Sequence, residues 1–162
     1  MDPQTLVALL DDHEKWLVDN NSGARADLTF LELSGFNFAD TNLRAAKLVG
    51  ADLEGCDLNG ADLQELDGFG ASFIRADLTN SDLSKSDLRG TNFYRALLHG
   101  TKLVNSDLRR GVLMNNTGKT VKVISADLSQ AELDNADMQN VNLTGGCLTG
   151  ASLVNADCSG DL

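Results

Sequence analysis

Apolar residues recur at every fifth position along most of this chain. Stepping by five from Leu28 to Cys158 visits 27 positions, of which nineteen are Leu and three are Phe38, Phe73 and Phe93. Val123, Met138 and Cys158 continue the series, and only Gly68 and Gly118 interrupt it. Two residues before each centre, 21 of the 27 positions hold Ala, Ser, Thr, Cys or Gly; one residue before it, 16 hold Asp or Asn. The two residues after it vary, as in Glu54-Gly55, Ile74-Arg75, Arg89-Gly90 and Gln139-Asn140.

A five-residue period excludes both common elements. On an α-helix these positions would drift around the surface, and a strand alternates with a period of two. A chain that turns a corner every five residues satisfies the pattern, with the central residue pointing inward each time. The small residue two places back shares the interior without crowding. Asp and Asn suit the corner, because their side chains bond nearby backbone and tolerate turn conformations. One coil cannot bury its own faces, so successive coils must stack. Phe73-Ile74-Arg75-Ala76 returns as Phe93-Tyr94-Arg95-Ala96 twenty residues later, which points to a twenty-residue coil.

Before the repeats, Leu6, Leu9, Leu10, His13, Trp16 and Leu17 share one helical face, while Asp11, Asp12, Glu14 and Lys15 lie elsewhere. Asp2-Pro3 is an N-cap and first-turn pair, and Asn20-Asn21-Ser22-Gly23 stops the helix. A solenoid end exposes apolar side chains and unpaired backbone. Residues 1–23 are therefore expected to form a helical lid on the repeats of residues 24–162. Over about residues 112–124 the repeat loses its chemistry but keeps its frame. Two forms fit: an external loop whose length is a multiple of five, turning at Asn116-Thr117-Gly118, or one poorly formed coil.

The tandem quintets, such as Ala51-Asp52-Leu53, Ala61-Asp62-Leu63, Ala76-Asp77-Leu78 and Ala126-Asp127-Leu128, resemble the pentapeptide-repeat family over roughly residues 24–160. The resemblance implies an all-β solenoid: a right-handed quadrilateral β-helix of four quintets per coil. With the N-terminal capping α-helix added, the repeats would make a rod of about 30 Å at ~4.8 Å per coil.

Composition changes this picture little. Aromatics are 5% of the chain, so aliphatic side chains must fill the core. The net charge of −11 argues against direct nucleic-acid binding, which needs Lys and Arg on phosphates, and suits a basic protein partner or simple solubility. On an uninterrupted frame that charge is lopsided. The face of Leu33, Leu53, Phe73 and Phe93 would carry Glu32, Asp52, Glu54, Glu132 and Asp134 against Arg75 and Arg95. The next would carry Asp40, Asp57, Asp77, Asp137 and Asp157 against Lys119. The face of Leu43, Leu63, Leu83 and Leu103 would carry Asp62, Glu65 and Asp82 against Arg44, Lys85, Lys102 and Lys122.

Candidate chemistry is thin. Gly118-Lys119-Thr120 ends like a phosphate-binding loop, but the glycine needed five residues earlier is Leu113. Asp67, Asp87, Asp107 and Asp127 would stack at coil spacing, with Arg89 and Arg109 between them, which fits structural corners better than a cation site. His13 and His99 stand far apart in sequence, and Cys56, Cys147 and Cys158 form no Cys-x-x-Cys. We therefore expect no enzyme, no cofactor and no metal. The N-terminus lacks a basic leader and no apolar run reaches membrane-spanning length, so a cytoplasmic protein with no membrane contact is expected.

The expected function is a non-catalytic scaffold presenting an acidic rod to an unidentified protein partner. An outward column of Ile74, Tyr94 and Met114 beside Arg75 and Arg95 has the composition of an interface centre. The alternative comes from the family resemblance: some pentapeptide-repeat proteins mimic duplex DNA, bind DNA gyrase and protect it from inhibitors. Leu143, Leu148, Leu153 and Cys158 lie near an uncapped last coil, where a tail-to-tail homodimer is expected.

Overall fold

The structure, a computed structural model, describes residues 1–114 and 120–160. Helix α1 spans Pro3–Val18. Its N-cap Asp2 accepts the Thr5 N–H at 3.0 Å and the Thr5 hydroxyl at 3.0 Å. Leu6 and His13 are buried beneath it, and Leu9 and Leu10 pack against the same core. At Gly23 (φ 68°) the chain reverses over the Asp12 carbonyl, which accepts the Ala24 N–H at 3.1 Å.

The coil beyond it has the predicted length. Parallel bridges join residues twenty apart, Asp27 to Lys47, Glu32 to Asp52, Asn37 to Asp57 and Asn42 to Asp62, and so on up the rod. Each coil is thus four quintets. Leu33 N–H donates to the Asp52 carbonyl at 2.8 Å, and Asp52 N–H donates back to Leu31 at 2.9 Å. The corners between consecutive coil quintets close on one bond, as where Ala46 N–H meets the Leu43 carbonyl at 2.9 Å. The last residue of the quintet sits at positive φ, the requirement of a type II turn. Asp40 (φ 55°), Glu65 (φ 58°) and Arg75 (φ 55°) adopt the same left-handed conformation as Gly55 (φ 65°). The residue before the centre supplies the side-chain bond expected of it. Asp52 Oδ1 accepts the Glu54 N–H at 3.0 Å, and Asp77 Oδ1 accepts the Thr79 N–H at 2.9 Å.

Apart from Leu113, which is exposed, the Leu and Phe centres from Leu28 to Leu133 form one buried column per face, with the small residues beside them. Phe73 and Phe93 stack on adjacent coils with ring centroids 5.0 Å apart and planes at 6°. Gly68 leaves a gap at its centre, and Leu66 fills it: a Cβ on Gly68 would lie 3.3 Å from Leu66 Cδ2. The buried hydroxyls find carbonyls, Ser81 on Leu78 at 2.7 Å and Thr101 on the same Leu78 at 2.7 Å. These buried hydroxyls therefore keep a hydrogen-bond partner inside the rod.

The interruption is an excursion outside the coil. Above it the bridging step rises from 20 residues to 35, with Asn92 on Asp127, Leu97 on Glu132 and Lys102 on Asp137. Its strands, β1 (Gly111–Met114) and β2 (Thr120–Ile124), pair antiparallel with Val112 opposite Val123. Asn116, Thr117, Gly118 and Lys119 lie outside the described residues. The fifteen extra residues are a multiple of five but not of twenty. Every later quintet is consequently moved to a neighbouring face, and the face assignments above need correction. Glu132 and Asp134 leave the Phe73 face, Asp137 and Asp157 follow Lys102, and Asp127 stacks on Asn92 instead of on Asp107. Lys122 leaves the faces altogether, because it belongs to β2.

Candidate interaction surface

Counted on the observed register, the faces separate by charge. The face of Phe38, Leu58, Leu78, Leu98, Leu133 and Leu153 carries Asp40, Asp57, Asp77, Glu132 and Asp134, with no Lys or Arg. His99 joins it through Glu132, its Nε2 lying 2.8 Å from Oε2. Asp134 has its carboxyl held below the usual carboxylate range, first by the Ser152 hydroxyl at 2.5 Å and then by the Val154 N–H at 2.9 Å. It therefore stays ionised to low pH.

The face of Leu28, Leu48, Leu88 and Leu108 is different. Asp27, Asp67, Asp87 and Asp107 share it with Lys47, Arg89, Arg109 and Arg110, so it is neutral. Arg89 forks onto Asp87 at 2.8 and 2.6 Å, and Arg109 onto Asp107 at 2.9 and 2.7 Å. The Arg109 bonds are the largest influence holding the Asp107 carboxyl low. Asp87 and Asp107 thus hold their own turn amides as well as the two arginines, which leaves their oxygens engaged within the fold. Among the described residues, no group of three His, Cys, Asp or Glu side chains is placed to hold a metal ion.

The predicted patch is partly assembled. Ile74 and Tyr94 neighbour each other on successive coils of the Phe73 face, half-buried, with Arg75 and Arg95 exposed beside them. Arg75 pairs with Glu54, while Arg95 lies 5.1 Å over the Tyr94 ring and donates to Gln130 at 2.7 Å. The charge of Arg75 is thus matched within the rod, while Arg95 is held by a neutral amide and an aromatic face. Met114 is not part of that column. It ends β1, and Ser129 takes the place beyond Tyr94, where its carbonyl accepts the Arg95 N–H at 3.1 Å. At the far end, Leu143 and Leu148 are half-buried while Leu153 and Cys158 are exposed.

A second apolar feature was missed in the sequence. Where most residues of one corner column are Gly50, Gly70 and Gly90, the first is Phe30, which is 75% exposed and lies across Gly50. Ile124 comes down on Gly70 and Gly90 from the other side, and Phe69 lies under Gly111. Together they hold the β1–β2 ribbon on the rod. Between them is an apolar slot of about 160 Å³ lined by Phe30, Val49, Phe69, Leu113 and Ile124. The signal was available, since Phe30 and Phe69 occupy outward positions of their quintets.

The five-residue ladder, the corner chemistry and the single-file core are those of a pentapeptide-repeat β-helix. A family model described as pentapeptide repeats matches residues 24–60, 37–67, 71–110 and 124–160, and the chain belongs to that family. Among solved structures, Rfr23, a pentapeptide repeat protein from the cyanobacterium Cyanothece 51142, is similar at 18% identity and a TM-score of 0.52, over 94% of this chain and 98% of that one. The pentapeptide repeat protein alr5209 from Nostoc Pcc 7120 is similar at 29% identity and a TM-score of 0.51, over 60% and 78% of the two chains. QnrB1, a plasmid-mediated fluoroquinolone resistance protein, aligns at 15% identity and a TM-score of 0.38 over 84% and 77%, too distant to bear on function. No curated protein matches the sequence.

Proposed function

We propose that this chain is a non-catalytic scaffold that binds a basic protein partner along its Leu78 face. The observation that carries this reading is the segregation of charge. Asp40, Asp57, Asp77, Glu132 and Asp134 share one face without a Lys or Arg, while each of the other faces sets cations beside its carboxylates, as in the Arg44–Glu65, Arg75–Glu54 and Arg89–Asp87 pairs. A single-sign strip on a rigid support steers a complementary surface and rejects an acidic one. The proposal includes a right-handed quadrilateral coil, which sets that strip apart from its neighbours. It also places the protein in the cytoplasm, a location that three free cysteines support.

Isosteric neutralisation tests it. The variant Asp57→Asn, Asp77→Asn, Glu132→Gln should fold as the parent does but lose the proteins that the parent retains from its native lysate. Their retention should fall as salt rises, since the screening length shrinks from about 10 Å at 0.1 M to about 3 Å at 1 M. Equal retention by both forms would refute the acidic face as the binding site. The Ile74–Tyr94 column is then the contact to mutate next.

The second reading, a DNA-like surface for gyrase, rests on the same strip. Five acids spread over six stacked coils amount to about one charge per 6 Å, against about one per 1.7 Å in the duplex. That sparseness favours the generic scaffold. A supercoiling assay with an inhibitor, run with and without the protein, separates the two.

A tail-to-tail homodimer is the third element of the proposal. Among the described residues, the amides of Leu143, Leu148, Leu153 and Cys158 have no backbone partner. A ladder of this kind accepts another strand. Light scattering at micromolar concentration should give the mass of two chains, and the mass of one chain would dispose of the contact.

A further inference from the structure

His13 is fully buried between α1 and the first coil. Its Nδ1 accepts the Ala26 N–H at 3.1 Å. In later coils the equivalent amide donates to the carbonyl three residues back, as Ala46 does to Leu43. Ala26 has no quintet before it, and the imidazole takes the place of that carbonyl. A nitrogen that accepts a hydrogen bond carries no proton, so the neutral ring keeps its proton on Nε2. Nε2 is buried, faces the Arg44 main chain and has no hydrogen-bond partner. The ring also stacks on Trp16, with centroids 5.6 Å apart and planes at 13°.

We infer that His13 is a proton-operated latch, and that adding a proton at Nδ1 releases α1 from the first coil. The only nitrogen free to take the proton is the one already bonded to Ala26. Two N–H groups would then face each other where one bond had been, and the Ala26 amide would be left without an acceptor. The imidazolium would also be a buried charge with no carboxylate in contact. Around it, Arg25 from the coil side opposes the charge, while Glu14 on the helix and the Arg44 main chain favour it. Burial outweighs these and lowers the His13 pKa from the ordinary 6.5.

The direction of the effect follows. The docked lid holds a neutral ring, whereas the released lid titrates as an ordinary histidine near pH ~6.5. Docking is at full strength above that pH. It weakens by up to about tenfold per pH unit as pH falls, until the lowered pKa of the docked ring is reached. Release uncovers the first coil, with Leu28, Leu33, Phe38 and Leu43 and an unpaired ladder edge. A pH-gated sheet edge can then accept another strand.

Trp16 is the only tryptophan and reports on the lid directly. Its emission, and the exchange of the Ala26 amide corrected for intrinsic pH dependence, should be followed in the full chain from about pH 7.5 to 5. The expected result is a red shift with Ala26 protection falling about tenfold per pH unit, while amides of central coils such as Leu58 keep theirs. His13→Asn places a carbonyl oxygen near the Nδ1 position and cannot titrate, so it should stay docked throughout. His99→Asn should behave as the parent. Constant Trp16 emission and Ala26 protection in the parent would overturn the latch, as would a transition that survives in His13→Asn. Should His13→Asn fail to dock at pH 7.5, His99→Asn decides alone, because the chain has two histidines: loss of the transition there would assign it to His99.

Discussion

Phe73→Ala is expected to lower the unfolding free energy by about 3–5 kcal/mol, while Ile74→Ala beside it costs less than about 1 kcal/mol. Phe73 is fully buried and stacked on Phe93, whereas Ile74 is half-buried and points outward. The coil backbone is tied above and below by ladder bonds, which stops the walls from collapsing into the space left by the ring. Both the transfer loss and the cavity therefore count in full. Denaturant unfolding of the two variants measures the difference. Equal losses would mean that the inward column had been misassigned.

The second large effect is expected at Gly90. Its φ is 68°, and a Cβ there would lie 2.6 Å from Ile124 Cδ1 and 3.2 Å from the Ile124 carbonyl. Gly55 has nearly the same backbone (φ 65°) but nothing within 4 Å of a Cβ. Gly55→Ala should cost about 1–2 kcal/mol, the strain of a left-handed residue alone. Gly90→Ala adds the displacement of Ile124, which anchors the β1–β2 ribbon. An isolated two-stranded ribbon is marginal in water. Amides of Val112 and Val123 should then exchange faster by about tenfold for each 1.4 kcal/mol of lost anchoring, with the coils unaffected. Unchanged exchange at Val112 and Val123 in Gly90→Ala would show that Ile124 does not hold the ribbon.

Much of this molecule was legible in the sequence because one physical rule is repeated without relief. A Leu or Phe at every fifth residue faces inward wherever the coil is unbroken, so most of the core could be named before any coordinate was known; Leu113 keeps the frame but lies exposed in β1. The twenty-residue echo of Phe73 in Phe93 gave the coil, and the stacking of those rings agrees with it. The helix face containing Leu6 and His13 was equally plain. The allocation of charge to faces was not. An excursion of fifteen residues leaves the five-residue frame intact, so nothing in the spacing tells Glu132 from a residue one face away. Met114 was misplaced for the same reason: it falls where a quintet residue would, yet it belongs to β1. The corner role of Phe30 depended on contacts with Gly50, which lie twenty residues distant, and no local pattern encodes such a contact.

The placement of that excursion also has a mechanical meaning. The chain leaves the stack after the Leu108 quintet and rejoins it at the Leu128 quintet, on the face that follows in the winding order. The ribbon is therefore a side branch: its length does not set the winding, and one more quintet inside it would leave the coils above in place. One more quintet inserted within a coil would instead advance every later quintet by one face. Glu132 and Asp134 would then no longer share a face with Asp57 and Asp77. The acidic strip is thus the product of an unbroken count in the coils, to which the ribbon is indifferent.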